Sequence, residues 1–308
     1  MSHLVLTDSD VAGSLTMQDA IACMEDAFRQ RAAGTLVAPA RLASDLGAGQ
    51  LVFTMGALTS EKPFVGFRVY DFSQLHSPQR AEMTAVFSAE DGSLNGLVVG
   101  PLLGVIRTGA IGGVAVKYLA RPQVKKLGVI GTGYQARTQL EAAVTVRKFA
   151  SITVFSRTAE RREQFAAEMS KKLEREISAV GSAREAAENA DVLLCATTSS
   201  EPVVEADWLK PGVHINNVGP KFKDAQELGL DVAGRMDRLV TDAPTQRAEY
   251  GPRFILHGGP LEGSVQDLAA IVAENGAGRK SVEESTLFYS LGLAGTEVLL
   301  ANLLFSRS

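Results

Sequence analysis

At 308 residues the chain exceeds the length at which one hydrophobic core usually keeps growing, and with 45% hydrophobic and 21% charged residues it belongs to the globular class rather than the disordered one, so two domains are expected. A formal net charge of -4 without a long basic run argues against a nucleic-acid partner. Cys23 and Cys195 sit apart in apolar stretches and read as buried free thiols of a reducing compartment, while His3, His76, His214 and His257 are isolated from one another, so no metal site is expected. The N-terminal residues lack an export leader and no apolar run reaches the roughly 18 residues needed to cross a bilayer, which leaves the cytoplasm and no membrane.

In chain order, Met17, Ile21, Met24 and Phe28 fall at helical spacing and Gly34 supplies a stop, predicting an amphipathic helix over 15–33. From 38 to about 100 the texture changes to short β-like runs at 51–55, 65–70, 83–87 and 97–99, punctuated by Gly, Pro and Asn, which predicts a mostly antiparallel sheet. An apolar, glycine-rich segment over 106–120 ends at Arg121 and Pro122, and strands then alternate with helices. The strands are expected at 126–130, 151–155, 176–180, 191–197, 213–218 and 238–241, with a short helix opened by the capping pair Ser182 and Glu185. Such alternation implies right-handed crossovers and a parallel sheet covered on both faces. The expected fold is therefore α/β, a Rossmann-type doubly wound parallel sheet over 121–288 beside a smaller α+β domain over 1–120. Residues 289–308 are expected to form an apolar helix, with Leu291, Leu293, Ala294, Val298 and Leu299 on it, that returns to the first domain.

The first strand of the alternating half runs into Gly131-Thr132-Gly133-Tyr134-Gln135-Ala136, opens a helix and is followed by another strand about 25 residues on, which is the context a dinucleotide-binding loop requires. Gly131 permits the sharp turn, Gly133 lets the backbone approach a pyrophosphate, and Ala136 allows close packing of helix on strand, while the helix N-terminus favours negative charge. Sites that prefer NAD usually close their second strand with an acidic residue, which would repel a 2′-phosphate. Here Ser156, Arg157 and Thr158 stand at that place, with Arg161 one turn along the next helix. NADP(H) is expected in preference, with NAD(H) as the alternative; if Arg157 is a solvated surface charge, the preference lapses.

Arg41 after Pro39, Arg68 after Gly66, Arg107-Thr108-Gly109, the loop at Gly131, Asn217-Val218-Gly219 followed by Glu227-Leu228, and the stretch from Thr286 to Gly292 occur in that order. The ordered set resembles the ornithine cyclodeaminase and mu-crystallin family over nearly the whole chain. That resemblance implies a Rossmann domain beside a domain that builds a homodimer interface and much of the substrate pocket. It implies further that Arg41, Arg68 and Arg107 face a substrate carboxylate and that Thr108 lies beside the cofactor. Thr197, Gly219, Leu291 and Gly292 complete the expected cofactor contacts. Interdomain bracing for Arg107 and an exposed loop charge for Arg41 are the plainer alternatives.

Two positions depart from the family pattern. A lysine is usual where this chain has Arg68, and arginine keeps the charge but does not release its proton at working pH. Aligned on Asn217-Val218-Gly219 and Glu227-Leu228, the aspartate that cyclodeaminases use on the substrate amines falls on Lys221, with Asp224 three residues on. Lys221 reads either as a proton donor of lowered pKa or as a solvated loop lysine, and Asp224 as a substitute carboxylate or a polar loop residue. The expected activity is hydride transfer to a small α-imino acid or the reverse amino-acid oxidation. Ornithine cyclodeamination, and dinucleotide binding without turnover, are the alternatives.

Overall fold

A computed structural model describes residues 4–75, 77, 79–274 and 278–307; His3, His76 and Ser308, which the sequence reading touched, lie outside the described residues. The chain divides into two compact units, Met1–Arg107 with Gly292–Ser308, and Thr108–Leu291.

The first unit is built on a mixed sheet in the order Val5–Thr7, Leu94–Val99, Glu82–Ser88, Phe64–Asp71, Gln50–Leu58 and Leu36–Val37, with Leu42–Asp45 also pairing Gln50–Leu58. All its pairings are antiparallel except Val5–Thr7 on Leu94–Val99. The predicted first helix forms at Met17–Ala32 because Thr16 caps it: its hydroxyl accepts from the Asp19 N–H at 3.1 Å and the Asp19 carboxylate accepts from the Thr16 N–H. Met17, Ile21, Met24 and Phe28 are all buried along its inner face.

The helix Thr296–Phe305 packs on this sheet and on Met17–Ala32. It can lie close because glycine recurs in one row across four strands, where Gly56 faces Gly66, Gly66 faces Val86, and Val86 faces Gly96. A Cβ at Gly66 would overlap the Ala85 carbonyl oxygen and stand 2.8 Å from Val298, and one at Gly96 would stand 2.7 Å from the Phe305 ring. The trough fixes the depth of the helix, and with it the position of Glu297.

The second unit carries an eight-stranded sheet in the order Ser178–Ala179, Ser151–Phe155, Lys126–Ile130, Val192–Cys195, His214–Asn217, Thr286–Tyr289, Arg238–Thr241 and Val265–Asp267. Every pairing in it is parallel, so the α/β, doubly wound expectation holds. Strand order reverses between Lys126–Ile130 and Val192–Cys195, and the crevice beyond the carboxyl ends of strands at such a point is where this architecture binds ligands. Buried Leu127, Val129, Leu140, Val154, Phe165 and Leu194 form the core under that crevice.

Four expectations are corrected. Residues 289–308 are not one helix: Thr286–Tyr289 is a buried central strand, and helix begins only at Thr296. The strand at 176–180 shrinks to Ser178–Ala179. The apolar segment near 106–120 belongs to an 18-residue helix, Leu102–Leu119, which is long and apolar enough by composition to cross a membrane, although 78% of it is buried within the protein. Cys195 is a buried free thiol as expected, whereas Cys23 is only half-buried.

Candidate functional site

The strand Lys126–Ile130 ends in Gly131, whose φ of +114° is open to glycine and whose absent side chain leaves room for the Ala196 carbonyl oxygen. Gly133 caps the helix Tyr134–Val146 without a side-chain hydrogen bond, since glycine has no side chain to offer one. A Cβ at Gly133 would meet nothing within 4 Å, which leaves the backbone open to an approaching anion. Ala136 is fully buried against the sheet and Tyr134 is 70% exposed.

This loop lines a cleft of about 280 Å³ together with Phe155, Ser156, Arg157, Thr158, Arg161, Thr197 and Ser199. Among the described residues, none that line it is acidic. The Ser156 hydroxyl donates to the Thr158 carbonyl at 3.1 Å, and Arg157, Thr158 and Arg161 are exposed at the mouth. The loop, the helix N-terminus and the acid-free rim together fit the pyrophosphate and ribose of a dinucleotide.

The far wall is held by buried Glu227. Its carboxylate accepts from the Thr197 N–H and hydroxyl, both at 2.8 Å, from the Asn217 amide at 2.7 Å and from the Gly219 N–H at 2.6 Å. Burial pushes the Glu227 carboxyl pKa up, against the pull of those donors and of Lys221. Lys221 starts the short strand Lys221–Phe222 and is buried, its ammonium donating to the carbonyls of Ser290 at 2.7 Å and Val218 at 3.1 Å. Asp224 lies on the following turn, 71% exposed and 3.8 Å from Arg253. The Leu291 N–H donates to buried Asp242 at 2.8 Å, and the Thr108 carbonyl accepts from Gln139 at 3.0 Å.

In the other unit Arg41, Arg68 and Arg107 gather around Glu297. The fully buried Glu297 accepts from Arg68 at 2.8 Å and from Arg107 through a short contact. Arg68 also grips Glu82, its Nε donating at 2.8 Å, so every nitrogen of its guanidinium meets a carboxylate. Burial opposes ionisation of Glu297, yet Arg107 and Arg68 outweigh it and hold the carboxyl down at about 2. Burial lowers the Arg107 pKa, with Glu297 opposing and Arg68 and Arg41 adding to the fall.

Gly292 lies where two of these side chains end. Arg41 donates to its carbonyl at 3.0 Å, and a Cβ there would strike Arg41 and stand 3.0 Å from Arg107 Nη1. That Nη1 and the neighbouring Nε are buried without a hydrogen-bond partner among the described residues. A buried donor on a charged group is costly unless something accepts from it.

A sequence model of the ornithine cyclodeaminase/mu-crystallin family matches residues 1–308. The chain belongs to this family. It is 30% identical to an alanine dehydrogenase of Archaeoglobus fulgidus, over 100% of this chain and 96% of that protein. It is 34% identical to a Δ1-pyrroline-2-carboxylate reductase of Bacillus cereus, over 69% of this chain and 66% of that one. The solved structure of Thermococcus litoralis Δ1-pyrroline-2-carboxylate reductase, in complex with NADH and L-proline, superposes with a TM-score of 0.86 at 34% identity, covering 99% of this chain and 97% of that chain.

Within this member of the family the local motifs lie together: Gly131, Thr132, Gly133, Ser156, Arg157, Thr158, Arg161 and Thr197 all border one cleft. Neither Glu297 nor Glu82 belongs to a motif, and the partners of Glu297 lie far away in the chain. Glu227 was visible only as part of a family pattern. A charged residue in an apolar helix, as Glu297 is among Val298, Leu299 and Leu300, is the one signal that could have been found.

Proposed function

We propose that this chain is an NADP(H)-dependent reductase of a small α-imino acid, reversible as an amino-acid dehydrogenase, working as a cytoplasmic homodimer in which the unit Met1–Arg107 with Gly292–Ser308 serves substrate binding and dimerisation. The observation that carries the reading is the buried, unsatisfied edge of Arg107 beside Gly292. Four guanidiniums, Arg41, Arg68, Arg80 and Arg107, face two carboxylates, Glu82 and Glu297, so the cluster keeps positive charge for a substrate carboxylate. Arg68 supports this site from behind, because its nitrogens are committed to Glu82 and Glu297, and Arg107 and Arg41 take the substrate.

The bound nicotinamide supplies the hydride that reduces the imine carbon. Gly131 and Gly133 with the helix N-terminus hold the pyrophosphate, and Arg157, Arg161 and Thr158 hold a 2′-phosphate at a rim without acids. Glu227 fixes Thr197 and Gly219 on the opposite wall. Lys221, buried and oriented by two carbonyls, keeps a proton at Nζ for the developing amine; Asp224, turned to solvent beside Arg253, is poorly placed for proton work. Cyclodeamination needs an anionic partner for the distal amine of ornithine, and a buried cation stands at the matching position.

The test is oxidation of NADPH and NADH by the purified protein with pyrroline-2-carboxylate and piperideine-2-carboxylate, with ammonia release from ornithine run alongside. Imine-dependent oxidation favouring NADPH, without ammonia, is expected. Ammonia release from ornithine would overturn the reading, and tight NADPH binding without any oxidation would reduce the protein to a dinucleotide binder.

A further inference from the structure

The second unit holds a separate cavity of about 490 Å³, lined by Lys117, Arg121, Arg147, Arg279 and Lys280 together with Tyr118 and Ser281. Among the described residues that line it, five are cationic and none is acidic, in a chain whose formal net charge is -4. The cations come from three separate segments, 117–121, 147 and 279–280, so their convergence is a product of folding. Arg121 and Pro122 precede the strand Lys126–Ile130, Gly212 precedes His214–Asn217, and Arg279 to Val282 precede Thr286–Tyr289. The cavity therefore lies at the amino ends of the parallel strands, whereas Gly131, Ser156 and Thr197 follow carboxyl ends. It belongs to the edge of the sheet opposite the dinucleotide cleft.

Part of this charge has a structural use. Arg147 donates to the carbonyls of Lys117, Arg121 and Val146 and so ties off the C-terminal ends of two helices, Leu102–Leu119 and Tyr134–Val146. Arg121 meets Asp191 at 2.5 Å, but that carboxylate also holds Lys210 at 2.6 Å and the N–H groups of Lys125 and Lys126. Among the described residues Arg279 donates to the Gly212 carbonyl alone, at 3.0 Å, and the Nε atoms of Arg121 and Arg279 are buried without a hydrogen-bond partner. Burial, then repulsion from Arg121, draws the Arg279 pKa down to about 10. Helix capping thus accounts for Arg147 and leaves like charges crowded around a concavity, an arrangement that a polyanion stabilises.

We infer that this cavity is a second anion site, which takes a small phosphorylated molecule carrying at least two negative charges. Its volume lies within the range of small-ligand pockets, and guanidiniums converging from several directions match the oxygens of a phosphate better than a single planar carboxylate. The concave shape favours a compact ligand over an extended chain of phosphates.

Inorganic pyrophosphate is the probe, titrated calorimetrically into protein saturated with NADP+ so that the dinucleotide cleft is filled. One binding event is expected, weakened at least about tenfold by the double substitution K117E/K280E, whose two sites are exposed and outside the core, and weakened likewise by R279Q. Unfolding temperatures of the variants establish that they are folded. Absence of binding in the NADP+-saturated protein, or binding indifferent to K117E/K280E and R279Q, would overturn the inference. So would binding of heparin without binding of pyrophosphate, since it would mark an extended surface instead of a site.

Discussion

Replacing Arg107 by lysine separates its two duties. Arg107 reaches Glu297 with Nη2, and its Nη1 and Nε are the buried donors that lack an acceptor. Lysine keeps the charge, so the balance of cations against Glu82 and Glu297 is unchanged, but one ammonium on a shorter stem satisfies Glu297 or the substrate and not both. Loss of one charge-assisted hydrogen bond to a substrate carboxylate costs about 1.5–3 kcal/mol, which is about 10- to 150-fold in kcat/KM. The assay is imine reduction at saturating NADPH, with NADPH affinity followed by fluorescence and unfolding by calorimetry. A raised KM, unchanged NADPH affinity and an unfolding temperature within a few degrees of the parent are expected. Unaltered kcat and KM in the folded R107K protein would show that Arg107 braces the fold and binds no substrate.

Three further outcomes follow from the same contacts. The R157A/R161A pair, at exposed positions, is expected to weaken NADPH about 10- to 100-fold and leave NADH almost untouched, as read by equilibrium fluorescence titration; equal losses for both would remove the 2′-phosphate contact. The G66A variant drives a methyl group into the Ala85 carbonyl and Val298, and calorimetry or denaturant unfolding is expected to find about 1–3 kcal/mol lost; an unchanged stability would mean that the helix Thr296–Phe305 shifts freely. Acid destabilisation is expected in two windows. Burial and then Arg279 hold His214 down at about 3 against an ordinary 6.5, so the unfolded chain takes up its proton first and stability falls as pH drops through that interval. Glu297, held at about 2 against 4.5, contributes stability that is complete above 4.5 and lost towards 2, on the order of 3 kcal/mol at most. Unfolding temperature against pH is the measurement, and H214N is expected to flatten the upper window while E297Q, less stable at neutral pH, flattens the lower.

What the sequence determined by itself is local. The cap at Thr16, the strand-glycine-helix run from Lys126 through Ala136, and the basic end of the strand Ser151–Phe155 are each specified within a few residues, because backbone conformation, capping and the close approach of an anion depend on near neighbours. Tertiary structure decided the rest. The strand Thr286–Tyr289 slots between His214–Asn217 and Arg238–Thr241, although dozens of residues separate it from both, and no periodicity announces such an insertion. Glu297 meets Arg68 and Arg107 across separations of 229 and 190 residues, pairings that no local pattern announces. Lys221, ambiguous in sequence, becomes a buried ammonium because the fold adds the distant Ser290 carbonyl to the local one of Val218. Charges that look solvated in a linear chain are assigned their partners by the fold, since electrostatic pairing depends on distance in space and on burial, and neither is encoded at any one position.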